Sequence, residues 1–397
     1  HAVPNLTPKE LKAQFDMYAT LYRHEEPLPP RAAVQHERLR IGFIAQHFLG
    51  SSSSLFYEGL MRGLTEKFDV YAYALDDRAD DFTEELCGAL NYHALANRSI
   101  EEQAEAIRAD EIDVLFDLGG HTDGGMTLMV LARRPAPVQI SGIGWFATTG
   151  VPFVDGFLTD AVLSPAGAEE FYSEQLLRLP HAFHFTPDAA MRASTVTERP
   201  ADAPVTFGVM QNFMKINEES LKLWGRILKK LPKSQLVLQD AAVDSPLRVT
   251  TILEMIEGLK LPAKRIFVRT GKRDYLGDYG DIDIALDTFP YAGGASTATA
   301  LYMGVPVVTL RGETHHASRL GASMLTAAGH ADWIADDARA YESLAIEMAE
   351  DIVAVRARRA DLRAEVEASA LMDGARYLAA FISEIERLWA ERGDSAL

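Results

Sequence analysis

The chain has 397 residues, 48% of them hydrophobic, and its 39 basic against 57 acidic side chains leave a net charge of −18. A mean hydropathy of −0.06, with no apolar run near the ~18 residues that a membrane helix needs, excludes a membrane span and fits two domains rather than one large core. The acidic balance without a basic cluster argues against nucleic acid as a partner, while a single cysteine, Cys87, and the lack of zinc-spaced Cys/His clusters or a basic-then-apolar leader point to a cytoplasmic protein without a bound metal.

Leu11, Phe15, Tyr18, Leu21 and Tyr22 recur at helical spacing over residues 9–24, and Glu26-Pro27-Leu28-Pro29-Pro30 comes next. A helical appendage and a stiff proline-rich linker are expected up to residue 37. At Leu39 the pattern changes: strands are predicted over 39–45, 68–74, 112–118 and 138–141, with helices over about 53–65 and 100–109. Near-continuous apolar strands between helices imply a parallel sheet covered on both faces. The loose stretch 186–204, rich in prolines, acids and small residues, reads as the interdomain connection. A second alternating series succeeds it, with strands at 205–209, 235–238, 265–268, 282–286 and 305–310 and helices at about 218–230, 247–258, 296–303 and 316–327. The segment 338–392 is expected to be mostly helical and to pack back as solvated cover, and no 34-residue repeat is present.

The expected fold is therefore α/β, two Rossmann-like doubly wound domains facing a central cleft, with an N-terminal helix and a C-terminal helical cover. The expected boundaries are 1–37, 38–200, 201–375 and 376–397. Ligands in such sheets sit where loops leave the carboxyl ends of the strands, so those loops are the informative ones.

Asp287-Thr288-Phe289-Pro290-Tyr291-Ala292-Gly293-Gly294-Ala295-Ser296-Thr297 ends a strand, turns on two glycines and opens a helix with small hydroxyl residues. Free amides and the positive helix end there would suit a phosphate. The same residues also suit an ordinary βα turn in which Ser296 or Thr297 caps the helix. No Gly-Lys-Ser/Thr comes after it, so a Walker-type nucleotide triphosphatase is not supported. Met210-Gln211-Asn212-Phe213-Met214-Lys215 places an amide pair and a lysine just past a strand. Lys215 would neutralise a departing diphosphate if it faces the cleft, and is otherwise one more surface lysine. Asp117-Leu118-Gly119-Gly120-His121-Thr122 opens another strand end through its glycines, and the small-residue turn Gly144 to Gly150, with Thr148 and Thr149, is expected on the same cleft. Asp76-Asp77-Arg78-Ala79-Asp80-Asp81 reads as a solvated loop without calcium spacing.

Taken in order, Ala132-Arg133-Arg134-Pro135-Ala136-Pro137-Val138-Gln139, Asn212-Phe213-Met214-Lys215, Leu286-Asp287-Thr288-Phe289-Pro290-Tyr291 with Gly293-Gly294, Met303 to Leu310, and Ala317 to Ser323 form a recognisable series. It resembles the catalytic region of the O-linked N-acetylglucosamine transferase/SPINDLY family over about residues 38–390. The resemblance implies a GT-B glycosyltransferase, inverting and metal-independent, that needs no cofactor beyond its nucleotide-sugar donor and glycosylates protein side chains. Carried over position by position, Lys215 matches the lysine that holds the diphosphate, and Asn212, with Gln211 before it, the amide beside it. Arg269, Thr270 and Lys272 match the segment that reads the base. Gly293, Gly294, Ser296 and Thr297 fall on the phosphate-binding turn that Asp287 begins, while His121, Thr122, Thr148 and Thr149 fall on the amino-terminal domain's side of the donor site.

The chain also departs from the family. His47 stands at the aspartate position after the first strand and Ser51 at the histidine position, Tyr275 replaces the histidine near the nucleotide, Ala295 the first threonine of the turn, and Thr299 the acid that takes the ribose hydroxyls. A serine cannot act as general base near neutral pH, so His47 is the residue expected in that role. Loss of the acid weakens ribose binding by roughly a few kcal/mol at most.

The expected function is transfer of GlcNAc or another hexose from a UDP-sugar to protein Ser/Thr side chains. The departures keep two other readings open: a GDP-sugar donor as in the SPINDLY branch, and a non-catalytic relative that binds an acceptor or stabilises an active transferase. The acceptor would be a protein, for which a flagellin or a surface adhesin would suit a bacterial member. Family members select acceptors with tetratricopeptide repeats ahead of this region. Here only residues 9–24 precede it and the chain opens on His1, so either an upstream region completes it or the catalytic domains or a partner subunit choose the acceptor.

Overall fold

The computed structural model describes residues 6–29, 34–240, 246–270, 275–313 and 315–395. The chain divides into two compact units, one of Thr7–Thr186 joined by the chain from Asp373 onward, the other of Pro187–Met372.

The first unit is built on parallel strands β1 (Arg40–Ala45), β2 (Asp69–Ala74), β3 (Asn91–Ala94), β4 (Val114–Asp117), β5 (Val138–Ser141), β6 (Gly156–Asp160) and β7 (Gln175–Leu179). Their spatial order is β3-β2-β1-β4-β5-β6-β7. Among them run α1 (Pro8–Tyr18), α2 (Ser54–Leu64), α3 (Asp81–Cys87), α4 (Ile100–Ala109) and α5 (Met126–Ala132). β1 and β4 are buried along nearly their whole lengths, as parallel strands covered on both faces must be. The helix starts are local. Thr7 and Glu10 cap each other across the first turn of α1, with Pro8 beginning it, and Ser99 and Glu102 do the same for α4.

The amino-terminal helix is part of this unit, not an appendage. Leu11, Phe15 and Tyr22 are buried. The α1 backbone lies so close to Gly150 that a Cβ there would sit 2.4 Å from the Phe15 carbonyl carbon, and Gly150 has φ +72°. Helical spacing marks the apolar face of α1 but carries no information about the surface it covers. Of the expected linker, residues 30–33 lie outside the described residues.

The second unit repeats the plan with α6 (Ala189–Ala193), β8 (Thr206–Met210), α7 (Glu218–Lys230), β9 (Gln235–Asp240), α8 (Pro246–Gly258), β10 (Ile266–Thr270) and β11 (Ile284–Leu286). It continues with α9 (Ala295–Tyr302), β12 (Val307–Leu310), α10 (Leu320–Ala327), β13 (Ile334–Ala335), α11 (Ala338–Glu350), α12 (Ile352–Ala357) and α13 (Arg359–Glu367). Its sheet, also parallel, runs β10-β9-β8-β11-β12-β13. In α7, Asn217 caps the start, Glu218 and Glu219 open the first turn and Lys229 and Lys230 close the last, each charge set against the helix dipole. The last helix, α14 (Gly374–Ser395), belongs to the first unit, where the Tyr377 hydroxyl donates to the Ala182 carbonyl at 3.0 Å.

The stretch expected to join the domains splits at its very start. The units part between Thr186 and Pro187, and the residues after that break are built into the second unit: Asp188 caps α6, Met191 is fully buried, and Arg199 Nε lies 3.1 Å from Asp283. The boundary expected after residue 375 falls between Met372 and Asp373. Prolines and capping acids look alike in a free linker and in a short anchored helix.

In each sheet the chain builds outward on one side of its first strand and then returns to the other, so β4 lies beside β1 and β11 beside β8. Ligands of open α/β sheets gather outside the carboxyl ends of the strands at such reversals. One device marks both. Ile112-Asp113-Val114-Leu115-Phe116-Asp117 and Ile282-Asp283-Ile284-Ala285-Leu286-Asp287 place aspartates at the two ends of β4 and β11. The first of each pair accepts the opening amide of the neighbouring strand, Arg40 N to Asp113 at 2.9 Å and Thr206 N to Asp283 at 2.9 Å. The second accepts a hydroxyl from the next strand, Ser141 to Asp117 at 2.8 Å and Thr309 to Asp287 at 2.7 Å.

Candidate functional site

In the second unit the chain leaves β8 through Gln211 and Asn212 into a tight turn, Phe213–Lys215. The turn is set by two acceptors: the Asn212 side chain takes the Met214 amide at 2.9 Å, and Asp240 takes the Phe213 amide at 2.9 Å. Lys215 is thereby aimed at the loop after β11. Its Nζ donates to the Ala292 carbonyl at 2.9 Å and lies 3.9 Å from the centre of the Tyr291 ring. Burial lowers its pKa to about 8, against the opposing pull of the Asp287 carboxylate. Among the described residues Lys215 thus meets carbonyl and π density but no full counter-charge at hydrogen-bond distance, a setting that would suit an anion.

Asp287 organises the loop. Its Oδ1 accepts from the Gln211 amide group at 3.1 Å, from Thr288 N at 2.9 Å and from Gly293 N at 2.7 Å. Burial pushes its carboxyl up to about 6, the Thr309 hydroxyl, the Gly293 amide and Lys215 holding it back. The Gly293 amide is therefore spent on Asp287 and does not point at a ligand. What Gly293 supplies is room, since a Cβ there would lie 2.3 Å from Gln211 Nε2 and 2.7 Å from both the Ser296 and Thr297 hydroxyls.

Gly294 begins α9 with no capping side chain, so the first-turn amides of Ala295, Ser296 and Thr297 lack the usual cap. The Thr297 hydroxyl is buried and has no hydrogen-bond partner among the described residues. It lines a small pocket with Met210, Gln211, Asp287 and Ser296. An uncapped helix start, two hydroxyls and a neighbouring lysine are donors of the kind that would suit an anion. Thr299, one turn further on, is buried.

The expected base-reading segment stands apart from this group. Arg269 and Thr270 end β10, the edge strand, and the Arg269 guanidinium pairs with Asp281 at 2.7 Å. Lys272 lies outside the described residues. The half-buried Tyr275 hydroxyl is pushed up to about 12, mainly by burial.

In the first unit several expected ligand groups turn inward. The Thr148 hydroxyl donates to Glu174 at 2.7 Å, and Thr149 gives both its amide, at 2.6 Å, and its hydroxyl to the other oxygen of the same carboxyl. Burial raises the Glu174 carboxyl, and these donors oppose it. Thr148 and Thr149 are thus anchors of their loop, not exposed ligand groups. The Thr122 hydroxyl is likewise spent on the Gly119 carbonyl at 2.6 Å.

His47 lies in the loop after β1 with its Nδ1 2.8 Å from Arg78 Nη2. A guanidinium only donates, so the neutral ring carries its proton on Nε2. That geometry suits a hydrogen-bond donor and not the general base expected of this residue, because a second proton would have to enter beside the guanidinium. Asp76, 3.5 Å from the same nitrogen, is already paired with Arg78 at 2.6 Å. Ser51 is exposed. Among the described residues no group of three or more His, Cys, Asp or Glu side chains is placed to hold a metal ion.

Sequence reasoning missed Glu174, Thr309 and the place of Tyr291 under Lys215. A signal existed for Thr309: it follows Asp287 by one strand as Ser141 follows Asp117, in two segments that share the same aspartate spacing. For Glu174 there was none.

The glycosyl transferase family 41 profile matches residues 12–199 and 190–381. The Solanum lycopersicum protein named "Probable UDP-N-acetylglucosamine--peptide N-acetylglucosaminyltransferase SPINDLY" is 33% identical over 368 residues, 90% of this chain and 39% of its own length. The chain thus spans about two fifths of the length of the curated relatives it matches, 39% in this case. A solved mutant of the Thermobaculum terrenum O-GlcNAc transferase superposes with a TM-score of 0.90 at 29% identity, over 100% of this chain and 77% of that one. The structure of Anabaena Alr3699/HepE with UDP and glucose, 12% identical with a TM-score of 0.57 over 88% of this chain and 100% of that one, shows a shared fold alone. Two parallel-sheet α/β units of the GT-B kind and a family match along both halves agree, and the chain belongs to glycosyl transferase family 41.

Proposed function

We propose that this chain moves a sugar from a UDP-sugar to the hydroxyl of a protein serine or threonine, by direct displacement with inversion and without a metal. The observation that carries the reading is Lys215, a partly desolvated ammonium held against the loop that leads into the uncapped start of α9. As the acceptor oxygen bonds to the anomeric carbon, the bond to the diphosphate oxygen breaks and negative charge gathers on the leaving group. Lys215, the α9 amides and the Ser296 and Thr297 hydroxyls are matched to that charge, and count for more where water is sparse. The names of the relatives, which specify a UDP-N-acetylglucosamine donor and a peptide acceptor, support the choice of substrates.

Calorimetric titration with UDP and GDP, then transfer from UDP-sugars to candidate acceptor proteins with and without EDTA, tests this reading. Micromolar UDP binding and EDTA-insensitive transfer are expected. Preference for GDP would move the donor to a guanosine sugar, and binding of neither would end the enzyme reading.

The pH dependence of binding is a second expectation. Free Lys215 loses its proton as pH rises through about 8, whereas a bound diphosphate keeps it protonated, so binding takes up a proton above that pH. UDP affinity should be level between about pH 7 and 8 and weaken by up to about tenfold per unit above it. A Kd that stays constant up to about pH 9.5 would show that Lys215 does not face the diphosphate.

A further inference from the structure

We infer that Asn217 is a positioning residue for the transfer: its side-chain amide ties the Lys215 turn to the loop after β11 and so fixes where the Lys215 ammonium stands. The inference rests on the transfer reading above. One side chain makes bonds in two directions. Asn217 Oδ1 accepts the Ser220 amide at 3.0 Å, while the Ser220 hydroxyl accepts the Asn217 amide at 3.1 Å, which closes the first turn of α7. With Oδ1 taken by a donor, Nδ2 is left to donate, and it bonds the Phe289 carbonyl at 2.6 Å. Leu221, Trp224 and Ile227 bury the inner face of α7, so the bond carries the position of a packed helix to the loop.

Lys215 and Asn217 grip the same loop, the first through the Ala292 carbonyl at 2.9 Å and the second through the Phe289 carbonyl at 2.6 Å. That loop is anchored to its own surroundings by the Tyr341 hydroxyl on the Asp287 carbonyl at 2.9 Å and by the Ala292 amide on the Ala317 carbonyl at 3.0 Å. The lysine bond by itself is a poor register mark, because the stem is long and flexible and the ammonium is the group that a diphosphate would draw away. A short neutral amide has neither weakness. The Gln211 bond to Asp287, 3.1 Å, crosses between the loops at the start of the turn, and the Asn217 bond crosses at its end. Lys215 stands between these two ties, and its ammonium can shift toward an anion without loosening either.

The lysine itself reports how closely the loops meet. Among the described residues the ionisable groups that bear on the ammonium are the Asp287 carboxyl, whose charge opposes the effect of burial, and Tyr291, whose hydroxyl burial pushes up to about 12. Loops that part admit water to the ammonium and return it toward the ordinary lysine value, whether or not a ligand is bound.

Asn217→Ser and Asn217→Asp separate the tie from the cap. Serine and aspartate both cap helices as asparagine does, so urea midpoints should change little. Serine ends before the position of the amide nitrogen, and an aspartate has no proton to give the Phe289 carbonyl. For each variant and the unsubstituted chain, the titration of the Lys215 ε-carbon resonance in the ligand-free protein, UDP calorimetry and kcat are measured. In both variants the Lys215 midpoint should rise from about 8 toward the ordinary lysine value; the rise must appear in the serine variant, which adds no charge. UDP affinity should fall by about three- to tenfold and kcat by about 10- to 100-fold, the scale of a small misplacement of a reacting group. A Lys215 midpoint that stays at about 8 in the serine variant overturns the assignment, even if activity falls, since Asn217 is then a helix cap and nothing more. Variants that transfer within about threefold of the unsubstituted chain overturn it as well. An unsubstituted chain that binds UDP yet transfers to no acceptor refutes instead the transfer reading, and the Lys215 titration still decides for or against Asn217.

Discussion

Substituting Lys215 by alanine should cut transfer by about 10²- to 10³-fold and weaken UDP binding beyond micromolar, while the protein remains folded. The magnitude comes from where the charge sits. Among the described residues the ammonium meets only the Ala292 carbonyl and the Tyr291 ring at close range, so its interaction with a diphosphate is poorly screened, and removal of one such donor costs other enzymes roughly two to three orders of magnitude. Stability should move little. Burial already disfavours the charged form of Lys215, and the lost hydrogen bond to Ala292 contributes only about 1 kcal/mol. Steady-state transfer, UDP calorimetry and urea unfolding of the variant separate the two effects. Full activity in a folded Lys215→Ala protein would remove the assignment of the donor site.

Asp287→Ala should damage fold and site together. The side chain gathers donors from Gln211, Thr288, Gly293 and Thr309, all within 3.1 Å. Its removal leaves them facing a void, at roughly 1–3 kcal/mol for each that finds no substitute, for a total loss of about 3–5 kcal/mol after relaxation. UDP binding should disappear with the turn. The effect has a pH signature. Burial raises the folded-state pKa of Asp287 from 3.8 to about 6, so its contribution to stability is full below the ordinary carboxylate range and declines as pH rises through about 6. Urea midpoints of both proteins at about pH 5 and about pH 8 should therefore differ more at the lower pH. An equal difference at the two would show that Asp287 is ionised in the fold at both.

Much of the candidate donor site was legible because its parts lie in two short loops, each continuous in sequence. The glycine pair, the hydroxyls after it and the lysine beyond β8 are loop residues whose place at strand ends is set by the strand–helix alternation. Their individual roles were less legible. Gly293 was expected among the phosphate-binding residues, yet its amide belongs to Asp287. Thr148 and Thr149 looked like ligand groups because small hydroxyl residues in a turn usually face outward, but Glu174, 25 residues away from Thr149, holds both.

By itself the sequence determined what short-range physics controls: the alternation of apolar strands with amphipathic helices, the capping boxes at Thr7 and Ser99, the glycine turn and the family series of motifs. Tertiary structure decided which partner each polar group takes. It set the Nε2–H tautomer of both His47 and His121, through Arg78 at the Nδ1 of the first and the Thr149 carbonyl at the Nε2 of the second. It seated α1 on Gly150 and placed α14 with the first unit. It also made strands of Asn91–Ala94, Gly156–Asp160 and Gln175–Leu179, whose polar or glycine-bearing stretches carry no clear strand pattern until a neighbour pairs with them. A hydrogen bond selects its partner by distance in space. Spacing along the chain predicts that distance only within a turn of helix or a single loop.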